Sequence, residues 1–254
     1  MRPAVVDATT TSAVLEGVSC ASIPGCRRCR HIPGFFKGRQ VYNAVAKHSG
    51  FPARPTRFVE IGAYLGQSSC HMAHLLRRRA NVTGSHVAFD VVDIFNTSYH
   101  LHSTWVPASH KEHIVRQGKG DMAMAWASNV IAHGAWPGIS RVTRGQSTDS
   151  EILALYQDGS IDFMYLDTAH TLAMTARELR LWWPKIGRDG WLCGDDFRPE
   201  KRNGQAAAIL EFFGARKTDV HVLPHFQYCV GKLSGAATVR FGARHTISPR
   251  GVRR

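Results

Sequence analysis

The stretch Arg57-Phe-Val-Glu60-Ile-Gly62-Ala-Tyr-Leu-Gly66-Gln-Ser68-Ser decides the fold: an apolar, β-branched run enters a glycine turn and leaves as a helical pattern. Gly62 lets the backbone turn and approach a ligand, and Gly66 lets the following helix pack closely. The helix start, with Ser68, offers free amide donors to a carboxylate or phosphate. The spacing is Glu-x-Gly-x-x-x-Gly, not the Gly-x-Gly-x-x-Gly of dinucleotide folds. An ordinary strand-to-helix turn can carry the same residues, so the reading depends on what surrounds it.

Outward from this turn, short apolar runs alternate with longer helical patterns. The runs are Arg57–Gly62, His86–Val92, Ile139–Arg144, Ile161–Asp167, Gly190–Asp195, Val220–Leu223 and Phe226–Gly231. Helical patterns cover Gln67–Ala80, Asp149–Gln157, Leu172–Trp183 and Gly204–Gly214. Such alternation predicts an α/β fold: a doubly wound, mostly parallel seven-stranded sheet covered on both faces. Only Pro224 and His225 separate the last two runs, so they are expected to close the sheet as an antiparallel pair. Residues 1–31, rich in Thr, Ser, Ala and Cys without a steady period, read as a flexible leader, and the domain is expected over 32–244. Residues 94–138, with Trp105, Pro107, Trp126 and Trp136, exceed a simple crossover and are expected to add a lid or acceptor-binding insert. Residues 245–254 have too little apolar content to pack and are expected to form a disordered basic tail.

Acidic residues end the apolar runs. Asp90, in Val87-Ala-Phe-Asp90, is placed to accept hydrogen bonds from ribose hydroxyls; the plainer alternative is that it or Asp93 caps a turn. Asp167 ends Ile161-Asp-Phe-Met-Tyr-Leu-Asp167-Thr-Ala-His170, and Asp195-Asp196 end Gly190-Trp-Leu-Cys-Gly-Asp195-Asp196. Adjacent parallel strands would bring these carboxylates to one carboxyl edge, where open α/β sheets bind ligands. Three close carboxylates repel unless a cation or donor compensates them, and oxygen ligands suit Mg²⁺, so Asp167, Asp195 and Asp196 form a candidate metal set. The alternative is that Asp167 bonds the cofactor and the Asp pair caps the next element. His170 falls at the same edge, and its imidazole is suited to take a proton from an acceptor hydroxyl; the bland reading is a cap or a surface histidine, one of 14.

Together these residues resemble the class I S-adenosylmethionine-dependent methyltransferases, in the branch of macrolide-sugar and other small-molecule O-methyltransferases, some of them cephalosporin-hydroxylase-like. The resemblance runs from Ile32-Pro-Gly-Phe-Phe through Phe58-Val-Glu-Ile-Gly, Ser160–His170 and Trp182-Trp-Pro-Lys to Gly194-Asp-Asp-Phe and Phe226–Lys232, about 200 residues in all. It implies the Rossmann-like methyltransferase fold with S-adenosylmethionine held at Glu60, Gly62, Gly66, Ser68 and Asp90, and Ser147 near the adenine. It further implies catalysis by His170 with Asp167, and a Mg²⁺ site at Asp167, Asp195 and Asp196. Relatives often carry His-Asp where this chain has Asp195-Asp196, so the resemblance leaves the metal open. The expected reaction is methyl transfer to a hydroxyl of a small molecule, sugar-like or catechol-like.

Composition bounds the partners. A length of 254 residues suits one domain, and no apolar run approaches the roughly 20 residues of a membrane span. The first residues, with Asp7, Thr9 to Thr11 and Glu16, lack the continuous apolar core expected of a secretory signal, so a cytoplasmic protein, with a homo-oligomer left open, is the expectation. The net charge of +13 raises a nucleic-acid methyltransferase as a rival. The basic clusters lack interleaved aromatics, and no Asn-Pro-Pro-Tyr-type element is present, which disfavours it. The six scattered cysteines suggest no disulfide framework, and Cys70, Cys193 and Cys229, inside apolar segments, read as reduced buried thiols. A second rival, from a different class, is a metal-binding interaction module built on Cys20, Cys26, Cys29 and His31.

Overall fold

The computed structural model describes residues 5–6, 29–47, 56–83, 86–168, 170–199, 204–216, 218–232 and 245–247. Its strands are β1 (Val5–Val6), β2 (Thr56–Ile61), β3 (Val87–Asp93), β4 (Arg141–Arg144), β5 (Ile161–Leu166), β6 (Ile186–Gly194), β7 (Val220–Leu223), β8 (Gln227–Gly231) and β9 (His245–Ile247). Helices α1 (Arg39–Lys47), α2 (Gln67–Thr83), α3 (Thr97–His102), α4 (Ala108–Gly118), α5 (Met122–Ala132), α6 (Ser150–Leu153), α7 (Leu172–Trp182) and α8 (Gly204–Gly214) connect them. They form one sheet in the order β1-β4-β3-β2-β5-β6-β8-β7-β9. Strands β2 to β6 run parallel, and β8 pairs antiparallel with both β6 and β7. The seven strands read from the sequence are all present. Two short strands extend the edges: β1 lies inside the segment read as a leader, and β9 begins just past the boundary at 244. Cys29–His31 form a single helical turn, and the remainder of both terminal segments, including Cys20 and Cys26 of the candidate metal module, lies outside the described residues.

The two faces follow from the period-two alternation of the central strands. Phe58, Phe89, Val91 and Phe163 face one core with α2 and α5, whereas Val59, Ile61, Val92, Met164 and Leu166 face the other with Trp182, Ile209 and Phe213. β5 is buried along its whole length, as expected of a central parallel strand with helices on both faces. Helix α7 begins where Thr171 accepts from the Met174 amide at 3.3 Å, and α5 where Asp121 accepts from the Met124 amide at 3.0 Å.

Within the segment 94–138, α5 is the buried crossover helix between β3 and β4, and Trp126 packs deep in the core. Only its first part, around α3, reaches the cleft described below. Two cysteine pairs correct the reading of reduced thiols: disulfides join Cys29 to Cys70 and Cys193 to Cys229. Cys193 and Cys229 are register partners on β6 and β8, with Cα atoms 4.1 Å apart. That juxtaposition comes from antiparallel pairing and leaves no mark in the spacing of the two residues. No described helix is long and apolar enough to cross a membrane.

Candidate active site

The chain passes outward from β2 to β3 and β4, then returns to β5 on the other side of β2. This reversal opens a crevice at the carboxyl ends of β2 and β5. A cleft of about 830 Å³ occupies it. Gly62, Ser68, Ser147, Asp167, His170, Asp195 and Asp196 line it, so seven of the ten residues singled out from the sequence meet in one place.

Gly62 has a φ of 88°, and its amide donates to the Val92 carbonyl at 2.9 Å. A Cβ here would overlap the Asp167 carbonyl, because the Asp167 amide bonds to the Ile61 carbonyl at 2.8 Å and draws the two strand ends together. The remaining three residues stand outside the cleft. Gly66, at φ 88°, faces Trp126, whose Cδ1 would be 2.9 Å from an added Cβ; it serves packing against α5. Glu60 points under the loop into the core between α1 and α2. It accepts from the Tyr42 hydroxyl at 2.9 Å and from the Ser69 hydroxyl. Burial pushes its carboxyl up to about 7, against the lowering effect of Ser68, Ser69 and Tyr42.

Asp90 lies three residues before the end of β3, roughly 10 Å from the carboxyl edge at the usual rise per residue. It stands 3.6 Å from Arg57 near Arg141 and Tyr156, and it does not line the cleft. The acidic residue at the strand end is Asp93. Its Oδ2 accepts from the amides of Ala63 at 2.6 Å and Tyr64 at 3.0 Å, and its Oδ1 accepts from Phe95 at 2.6 Å. Asp93 was read from sequence only as a turn cap. It does cap the turn, and it also lines the cleft.

At the other end of the cleft, burial pushes Asp167 well above the usual carboxylate range, helped by the like charges of Asp195 and Asp196. Burial also raises Asp195 to about 6, while the Asp196 amide and Lys37 oppose the rise. Asp196, at φ 57°, turns its carboxylate to His170, with Oδ2 3.2 Å from Nε2, and to Arg198, with Oδ1 3.3 Å from Nη2. Nδ1 of His170 stands 2.9 Å from Gln205 Oε1, and the Gln205 amide nitrogen donates to the Asp195 carbonyl at 2.8 Å. With its NH₂ so engaged, Gln205 presents its oxygen to the ring. Nδ1 is therefore the donor, and Nε2 is directed at Asp196. Among the described residues, Asp167, Asp195 and Asp196 are not gathered within 4.8 Å of one another, because Asp196 is drawn to His170 and Arg198.

Several cleft residues are not among the site residues singled out from the sequence, although Trp105 falls in the expected acceptor-binding insert. Glu178 of α7 accepts from the Ser147 hydroxyl at 2.5 Å and the Thr168 hydroxyl at 2.7 Å, and burial raises its carboxyl. Tyr165 lines the cleft as well, and its buried hydroxyl has no hydrogen-bond partner among the described residues. Phe35, Tyr64, Tyr99, His100 and Trp105 form an aromatic wall, with Phe35 to Tyr64 centroids at 5.6 Å and Phe35 to Trp105 at 5.8 Å.

A parallel sheet with a crevice at its switch point, a glycine turn beside a strand-end carboxylate and an acid-imidazole group define a class of group-transfer enzymes. The profile of a methyltransferase domain family matches residues 59–197, more than half the chain, and the protein belongs to that family. Among solved structures, the O-methyltransferase NovP is similar at 13% identity and a TM-score of 0.58 over 90% of this chain and 100% of its own. A protein from Corynebacterium glutamicum reaches 12% and 0.54, covering 91% and 98% respectively. The O-methyltransferase TomG from Streptomyces achromogenes, involved in tomaymycin synthesis and solved with S-adenosylmethionine, reaches 11% and 0.51 over 91% and 96%. At these identities the likeness is one of fold. A search of curated proteins returns no match.

Proposed function

We propose that the protein transfers the methyl group of S-adenosylmethionine to a hydroxyl oxygen of a small-molecule acceptor. The observation that carries this is the meeting, in one cleft, of the Gly62 turn with Asp93 and the group Asp167, His170, Asp195 and Asp196. In this reading the close-packed Gly62 turn and Asp93 hold the cofactor, Ser147 and Gln146 flank its adenine, and the acid-imidazole end receives the acceptor. The acceptor oxygen attacks the sulfonium methyl carbon, the carbon–sulfur bond breaks with its electrons passing to sulfur, and Nε2 of His170 takes the hydroxyl proton. Gln205 fixes the ring by accepting from Nδ1, and Asp196, which faces Nε2, turns away so that this nitrogen's lone pair is left for the hydroxyl proton.

The carboxylates suit a hard divalent cation, since burial and mutual repulsion raise Asp167 and Asp195 together. Asp167, Asp195 and a reoriented Asp196 would hold Mg²⁺, which would supply polarisation of the acceptor hydroxyl.

Calorimetric titration of S-adenosylmethionine, with and without Mg²⁺, tests the reading. Binding that Asp93→Ala abolishes and Asp90→Ala leaves near the wild-type value supports it. A wild-type protein that takes up no S-adenosylmethionine under either condition overturns it.

A further inference from the structure

Methyl transfer makes no use of the cysteine-rich segment at the N-terminus. The fold gives Cys29 partners that lie far along the chain rather than in its neighbourhood: Cys29 stands in a single helical turn, Cys29–His31, and meets Cys70 of α2, 41 residues on. His74 follows Cys70 by four residues, so both project from the same face of α2. Ligand atoms of Cys29, Cys70 and His74 all lie within 4.8 Å of one another, the only such trio among the described residues. His74 Nε2 stands 2.9 Å from the His133 carbonyl, which makes it the donor and leaves Nδ1 as the bare nitrogen. Zinc-binding histidines are held in this way, through a backbone carbonyl on the nitrogen away from the metal. Cys29 and His74 are partly exposed, which gives an ion a route in.

We propose that, once its disulfide is reduced, the Cys29, Cys70 and His74 trio is a zinc site. Two thiolates and one imidazole form a ligand set of the kind zinc takes, with the fourth tetrahedral position left to water. A dithiol reductant passes two electrons and two protons to the Cys29–Cys70 bond and is itself oxidised to a disulfide; Zn²⁺ then binds the two sulfurs and displaces their two protons. The oxidised and the zinc-loaded forms thus tie the same two elements together. The tie matters to the cleft, because Gly34 to Lys37 line it a few residues after Cys29, and the first turn of α2 carries Ser68, which lines it too. Arg30 and Phe36 already straddle α2 through Gln67, whose side chain bonds the Arg30 carbonyl at 3.2 Å and the Phe36 amide at 3.3 Å.

The test uses the full chain, reduced with a phosphine and titrated first with Co²⁺ and then with Zn²⁺. One Co²⁺ per chain with a thiolate charge-transfer band, displaced by Zn²⁺, is expected. Cys29→Ser and Cys70→Ser should each lose the band, and His74→Ala should weaken Zn²⁺ more than the roughly 10–100-fold that follows loss of a mere supporting contact. A band that persists in folded Cys70→Ser would overturn the proposal in favour of ligands confined to the N-terminal segment. Should that variant not fold, zinc X-ray absorption on the wild-type protein decides: two sulfurs near 2.3 Å and at least one nitrogen near 2.0 Å are expected. A shell without sulfur overturns it.

Discussion

Glu60 offers a quantitative test of the fold beneath the cleft. It is buried, bonded by Tyr42 and Ser69, and its carboxyl is pushed from an ordinary value of 4.5 to about 7. A carboxyl whose folded value lies above its unfolded one favours the neutral form in the fold. The stability it allows is complete below about 4.5 and is lost as pH rises through about 7. The full rise corresponds to roughly 3 kcal/mol, of which about 2–3 kcal/mol falls between about pH 5 and about pH 8. Glu60→Gln keeps the shape and an acceptor oxygen. Its NH₂ can donate to a hydroxyl, since the Ser69 oxygen already accepts from the Trp126 indole at 3.1 Å and has a second lone pair. Urea unfolding of both proteins at the two pH values should show the variant gaining about 2–3 kcal/mol on the wild type as pH rises. Taking the difference between the two proteins cancels the titrations of Asp167 and Asp195. Parallel stability profiles, with the same wild-type-to-variant gap at both pH values, would refute the reasoning. Cofactor affinity should change little, since Glu60 does not line the cleft.

Four further outcomes follow from the structure. Gly62→Ala should cost about 3 kcal/mol or more, read as a lower urea midpoint, because its Cβ would overlap the backbone carbonyl of Asp167 at a φ of 88°. His170→Ala should lower methyl transfer by about 10²–10⁴-fold while S-adenosylmethionine still binds in calorimetry. Gln205→Ala, which frees the His170 ring without removing it, should lower turnover less and alter its pH profile. Replacing Cys193 and Cys229 together by Ala should cost about 2–4 kcal/mol against the oxidised wild type, and the gap should narrow when the wild type is measured under a reductant.

The strands and most of the helices could be read from the sequence because they rest on local signals. The β-branched runs, the Gly62 turn and the Gly204–Gly214 pattern each declare themselves within about a dozen residues. The region 94–138 divides between cleft and core: a buried, mostly apolar crossover helix such as α5 and a lid both present Trp residues to the reader, and only the packing of Trp126 against Gly66 tells them apart. Asp90 and Asp93 illustrate the same difficulty at a finer scale. Both are acidic and in the same strand, and the choice between them turns on where β3 ends, the least local property of a strand. Glu178 and Gln205 are invisible in sequence because their partners, Ser147 with Thr168 and His170 with Asp195, come from other elements. The disulfides escaped for the same reason.

Five acidic residues, Asp93, Asp167, Glu178, Asp195 and Asp196, line the cleft beside Lys37 and Arg198, so each of them that ionises makes its potential more negative. Such a potential discriminates between guests by charge before it does so by shape. A sulfonium cofactor enters as a cation and, once its methyl is gone, leaves as a neutral thioether. The acidic lining therefore favours the charged cofactor over its spent form to the extent that its carboxyls are ionised.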